Sequence, residues 1–202
     1  MKGLGLHYPP QSCPFCNIAS AFPFPSSSSS STSPAPSSES GLLECVPSDK
    51  ASDPEKTDPN SFVVLSSRNV TAFLDILPMT EGHLLVATRG HRVKVADMEG
   101  SEGREIGFWL PVLARVVAQV TGVEDYNIVQ NNGARAAQVV PHVHFHIIPR
   151  PETMPQIKSK SWAMFGRGQR DELDDEDGVR LAGEMRRVLR EEVKRMKAAS
   201  KL

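Results

Sequence analysis

At 202 residues the chain has room for one domain with appendages, and a net charge of −1 supplies no bulk field toward nucleic acid or an anionic membrane. Apolar residues make up 39 % of the total, and the deficit is concentrated in one Ser/Pro-rich stretch, so the remainder is rich enough for a core. Three cysteines are too few and too odd for a disulfide framework, and no window approaches the roughly 18 apolar residues of a membrane span, so a soluble intracellular protein, cytoplasmic or nuclear, is expected.

Met1 to Pro10 carries one lysine and no apolar run of signal-peptide length. Cys13-Pro14-Phe15-Cys16 is a C-x-x-C pair, which alone fits a redox pair, half a zinc site or coincidence. Residues 23–60 hold the run Ser26 to Ser31, a Ser-Pro-Ala-Pro block and a polar patch. That composition buries too little apolar area to offset ordering entropy and predicts a disordered insert, with Cys45 a free thiol in a linker.

After the insert the texture becomes β-rich. Phe62 to Leu65 and Val70 to Ile76 are short β-branched and aromatic runs joined by the hairpin-like Ser-Ser-Arg-Asn, and His83 to Thr88 is a third candidate strand. Ile106, Trp109, Leu110, Leu113, Val116, Val117 and Val120 recur at helical spacing between Ser101 and Thr121. Gly107 and Pro111 predict a late start or a kink in that helix, since an interior proline costs about 3 kcal/mol. Tyr126 to Gln130 and His142 to Ile148 complete five strands. A last helix has acids Asp174 to Asp177 at its start, Arg195 and Lys197 near its end, and the stripe Leu181, Met185, Val188, Leu189, Val193 and Met196. The expected division is residues 1–22 as an N-terminal segment, 23–60 as the insert, 61–151 as the catalytic core and 152–202 as a C-terminal extension.

His142-Val143-His144-Phe145-His146 is the most informative stretch. Alternate side chains of a strand share one face, repeating about 6.6 Å apart, so three imidazoles line one surface while Val143, Phe145 and Ile147 meet the core. Histidines this dense do not arise from packing alone. Metal binding is one reading, although the strand and its flanks offer no carboxylate before Glu152. Nucleophilic catalysis is the other: crowding keeps at least one ring neutral, and a neutral imidazole nitrogen attacks phosphorus well once its partner nitrogen is oriented.

His-Val-His-Phe-His-Ile-Ile resembles the signature of the histidine-triad family, and the flanks agree: Asn131-Asn132-Gly133 and Gln138 upstream, Pro149-Arg150 downstream. Ala72-Phe73-Leu74-Asp75-Ile76 followed by Gly82-His83-Leu84-Leu85-Val86 resembles the family's nucleoside-binding half. The resemblance covers residues 13–18 and 62–150. It implies an α+β fold, a five-stranded antiparallel sheet with one main packed helix, to which the C-terminal helix is added.

The same resemblance implies a hydrolase or nucleotidyl transferase acting on a purine nucleotide. His144 attacks the α-phosphorus and forms a nucleotidyl-histidine, with His146 and His83 acting at the phosphate or leaving group. Asp75 holds the ribose hydroxyls, Phe15, Ile18, Phe73 and Ile76 wall the base, and Asn131 and Gln138 face the phosphate. The zinc-containing Hint-like branch implies a structural Zn²⁺ on Cys13, Cys16, His91 and His142. Nucleoside phosphoramidates are the leading substrates. A dinucleoside polyphosphate, its second lobe shaped around Trp162 to Arg170, is the alternative, as is a nucleotide-binding regulator with vestigial catalysis. A homodimer is implied, with no nucleic-acid or membrane partner. Two positions depart from the family: Val139 replaces a common hydroxyl residue, and Ala137 a usual glycine.

Overall fold

The computed structural model describes residues 12–24, 39–153 and 171–199. Short β-branched runs pair into one antiparallel sheet of five strands in the order β1-β2-β3-β5-β4. These are β1 (Val63–Ser66), β2 (Val70–Leu74), β3 (Leu84–Thr88), β4 (Tyr126–Gln130) and β5 (His144–Pro149). β1, β2 and β3 are buried on both faces, which explains why their sequences are nearly continuous apolar runs.

Strand alternation divides the core in two. Val63, Phe73, Leu85 and Ala87 point to one face, where Cys13, Phe15, Ile18 and Phe22 of the α1 region (Pro14–Ala21) cover them. Val64, Ala72, Leu74, Leu84, Val86 and Ile147 point to the other, packing on α3 (Gly100–Thr121) and α4 (Asp175–Ala199). Arg89 bolts α1 to the sheet, its guanidinium donating to the Ala19 carbonyl at 2.6 Å, to the Phe22 carbonyl at 3.0 Å and to Ser66 Oγ at 3.1 Å.

The expected late start or kink of the main helix gives way to a helix running from Gly100 through Pro111 to Thr121. A reciprocal capping box between Glu99 and Glu102 starts it and Gly122, at φ 68°, ends it. Pro111 lies on the exposed side, and the burial of Ile106, Trp109, Leu113, Val116 and Val117 outweighs its missing hydrogen bond. Trp109 is fully buried, so it contributes to the core and not to an outer contact.

The expectation of a disordered insert over 23–60 is corrected in its second half. Glu39–Glu44 forms α2, and Ser48 and Asp53 cap two short 3₁₀ turns. Cys45, expected as a linker thiol, is buried in the main core with Val46, its Sγ donating to the Gly41 carbonyl at 3.2 Å. Burial pushes that thiol up to about 12, with Glu105 and Glu44 adding to the effect. The ordering force comes from far along the chain. Arg186 of α4 donates to Asp49 at 2.8 Å and to the Val63 carbonyl at 2.8 Å, and Arg190 donates to the Pro47 carbonyl at 2.7 Å. The Ser26 to Ser31 run and the expected lobe at Trp162 to Arg170 lie outside the described residues. Among the described residues, no helix is long and apolar enough to cross a membrane.

Candidate active site and metal centre

β5 begins at His144, two residues later than the sequence pattern suggests. Pro141 precedes the motif, and Val143 is drawn off the ladder start by a 2.6 Å bond to the Arg92 carbonyl. His142 therefore sits in a bend, and its ring is turned toward the N-terminal cysteines, while His144 and His146 pair with Ala87 and Leu85 of the α1-facing side of the sheet.

His144 is 5 % exposed, and its Nδ1–H donates to the His142 carbonyl at 2.6 Å. That bond consumes one nitrogen and leaves the Nε2 lone pair for chemistry. Burial holds the ring below its ordinary pKa even though the carbonyl acceptor favours the charged form, so His144 is neutral near pH 7. Phe15 packs edge-on against His144 and Phe73, with ring centroids 5.0 and 5.2 Å away. It stands behind His144 and is absent from the cleft wall, where the family resemblance places it.

His146 and His83 are joined across β5 and β3 by an Nδ1–Nε2 contact of 2.9 Å. His83 is 1 % exposed; its Nδ1 accepts from the Met79 N–H at 3.2 Å and lies 3.3 Å from Asp75 Oδ2. Asp75, His83 and His146 form a compact group, but His83 uses a different nitrogen toward each neighbour. The arrangement is a hydrogen-bonded relay from Met79 through His83 to His146, with the Asp75 carboxylate beside it, and not a convergent ligand set. Asp75 also accepts from the Leu77 N–H at 3.0 Å.

Beside this relay lies a cleft of about 450 Å³ lined by Ile18, Phe73, Asp75 and Ile76, four of the five residues expected at a nucleoside. Asn131 directly follows β4, whose last residue Gln130 pairs with Phe145, and it is half-buried. Gln138 departs from its expected substrate-facing role. Its Oε1 accepts from the Gly133 N–H at 2.6 Å and its Nε2 donates to the Val93 carbonyl at 2.7 Å, so the amide is consumed in closing the loop before the triad. Val139 is 78 % exposed.

Cys13, Cys16, His91 and His142 gather with every donor atom within 4.8 Å of the others. His142 Nδ1 is 3.4 Å from Cys13 Sγ and 3.6 Å from Cys16 Sγ, and His91 Nδ1 is 3.3 Å from Cys16 Sγ. Tetrahedral zinc with Zn–S near 2.3 Å and Zn–N near 2.0 Å has donor–donor edges of about 3.3–3.8 Å, so the set fits that ion. The His142 Nε2–H donates to the Thr88 carbonyl at 2.7 Å, which aims the Nδ1 lone pair at the cysteines. Burial pushes His142 down to about 4, and burial with the neighbouring Cys13 pushes Cys16 up to about 12. Thr88 and the Arg89 clamp had no sequence signal; both act through backbone carbonyls or long-range packing that residue type does not advertise.

The family model described as the HIT domain matches residues 56–153. The chain is similar to adenosine 5′-monophosphoramidase hnt1 of Schizosaccharomyces pombe, 45 % identical over 80 residues, which is 40 % of this chain and 57 % of that protein. It is 37 % identical over 113 residues to the uncharacterised HIT-like protein MJ0866 of Methanocaldococcus jannaschii, covering 56 % of this chain and 83 % of the relative. A Zn-bound histidine triad family protein from Mycobacterium smegmatis superposes with a TM-score of 0.51 at 25 % identity, over 69 % of this chain and 88 % of that one. The chain thus spans little more than half the length of the S. pombe relative but most of the other two. Motif, sheet order and sequence match converge on the same residues, and the chain belongs to the HIT domain family.

Proposed function

We propose that the protein cleaves nucleoside 5′-phosphoramidates at the α-phosphorus through a covalent nucleotidyl-histidine on His144. The carrying observation is the 2.6 Å bond from His144 Nδ1–H to the His142 carbonyl, which fixes the tautomer whose Nε2 is free and neutral. Nε2 forms a bond to phosphorus as the bond from phosphorus to the leaving amine breaks. His146, held by His83 at 2.9 Å, works from its other ring nitrogen: as the imidazolium it gives a proton to the departing amine, which leaves as the neutral amine, and the ring is itself left neutral. His146, having given up that proton, then takes one from the water that releases the nucleotide. Asp75 accepts from the ribose diol at one end of the cleft, and Ile18, Phe73 and Ile76 take the base. Asn131 approaches the phosphate from beside His144.

Cys13, Cys16, His91 and His142 would hold a structural zinc, as in the Hint-like branch; bound there, the ion supplies a cross-link between α1 and the start of β5. The name of the S. pombe relative supports a phosphoramidate as substrate. A homodimer is proposed through β4, an open edge strand that exposes Tyr126 and Ile128.

Rapid-quench mixing with a radiolabelled adenosine 5′-phosphoramidate tests the assignment. Wild-type protein accumulates acid-labile label, and His144→Ala loses both the label and at least about a thousandfold in turnover. Turnover that survives in His144→Ala would sink it.

A further inference from the structure

The rim of the nucleoside cleft is polar, and most of its groups are already engaged. Thr57 Oγ1 donates to Ser61 Oγ at 2.7 Å, Asn60 Nδ2 donates to Asp175 Oδ2 at 3.0 Å, and Lys56 Nζ donates to the Ala51 carbonyl at 2.6 Å. Two rim side chains, Asn17 and Asp58, make no hydrogen bond or ion pair among the described residues. Asp58 comes from the segment that enters β1, and it is exposed at the mouth, away from the half-buried Asp75 beside His83. Thr57 before it and Asn60 two residues after it are held by these bonds, so the segment is fixed without any bond to the carboxylate itself.

We infer that Asp58 is a specificity-determining residue of this cleft and selects guanine over adenine. The inference rests on the proposed nucleotide chemistry and adds the base to it. A carboxylate only accepts hydrogen bonds, and it does so with two parallel oxygens. Guanine presents N1–H and N2–H side by side and satisfies both oxygens. Adenine and cytosine each place one amino donor next to a ring-nitrogen lone pair, and uracil places one N–H between two carbonyls. Each of those bases turns an acceptor toward the carboxylate and leaves it partly unpaired as the base covers it, which costs binding. Asn17 carries a donor and an acceptor and discriminates less. The apolar wall of Ile18, Phe73 and Ile76 takes the face of any purine, so the choice falls to the edge.

The test compares kcat/KM for guanosine and adenosine 5′-phosphoramidates in wild type, Asp58→Asn and Asp58→Ala, with direct calorimetric binding of GMP and AMP to the same proteins. Wild type favours guanosine by about tenfold, mostly through KM, and GMP binds more tightly than AMP by a similar factor. In both variants the guanosine-to-adenosine ratio collapses to about one through loss on the guanosine side. A wild-type ratio of one or below, or a ratio that the variants leave unchanged, overturns the inference. If no phosphoramidate turns over yet GMP outbinds AMP in an Asp58-dependent way, the base assignment stands and the catalytic reading fails. Turnover without base preference overturns the base assignment and leaves the catalytic reading standing.

Discussion

Ala137 sits at φ 62° and ψ 25°, a left-handed conformation in which its Cβ crowds the following carbonyl. The residue closes the loop that Gln138 fastens, immediately before the triad, and its strain is the physical reason that glycine suits the position. Replacing Ala137 by Gly relieves about 1–2 kcal/mol of strain and gives back about 0.5–1 in unfolded-state entropy, so a net gain of about 0.5–1 kcal/mol is expected. A denaturant midpoint that rises at constant m would register it, and Ala137→Val should move the midpoint down. The sequence marks this position as a departure but holds no clue to the sign of φ. Gln138 teaches the opposite: an amide next to a phosphate-facing loop reads as a substrate contact, whereas its two ends are consumed by the loop's own backbone.

The two long helices were legible from their apolar period and, for α4, its terminal charges, and the strands from β-branched runs, whereas α1 and α2 were too short to show a period. Boundaries were lost where tertiary bonds intervened, as at Val143, which Arg92 pulls off the β5 ladder. The second half of the insert was illegible because its order is imported from α4. No local pattern around Leu42, Leu43, Cys45 and Val46 announces the arginines that hold Pro47 and Asp49, by bonds with sequence separations of 143 and 137. One element has its own test. Gly178, inside α4, lies over the Phe62 ring, and an added Cβ would fall 2.5 Å from the ring carbons. Glycine costs a helix interior about 1 kcal/mol relative to alanine, yet Gly178→Ala should destabilise by about 1–3 kcal/mol because Phe62 is buried and has nowhere to retreat. An increase in thermal stability would contradict that packing.

For the whole molecule, the alternation His142 to His146 and the separated C-x-x-C, His91 and Asp75 motifs made the family and the clustering readable before any geometry. The relay through His83 was not, since nothing in sequence tells which nitrogen faces which neighbour. Metal removal probes the assembled molecule. A strong chelator should lower Tm by at least about 5 °C and expose Cys13 and Cys16, but not the core-buried Cys45, to alkylation. Equal thiol reactivity with and without chelator would argue against a zinc clip. At the level of assembly, Ile128→Arg on the open β4 edge should convert a dimer to a monomer by light scattering.

The α1 region carries Cys13 and Cys16 of the cysteine–histidine cluster and one wall of the cleft, and about fourteen residues, 25–38, separate its last described residue from α2. Lengthening such a connection costs only about 0.6 kcal/mol per doubling, so the place of α1 is governed by the Arg89 clamp and the cysteine–histidine cluster more than by covalent continuity. Such a peptide behaves as a ligand delivered at high effective concentration. A chain cut once between Phe24 and Glu39 should therefore stay together as a two-piece complex.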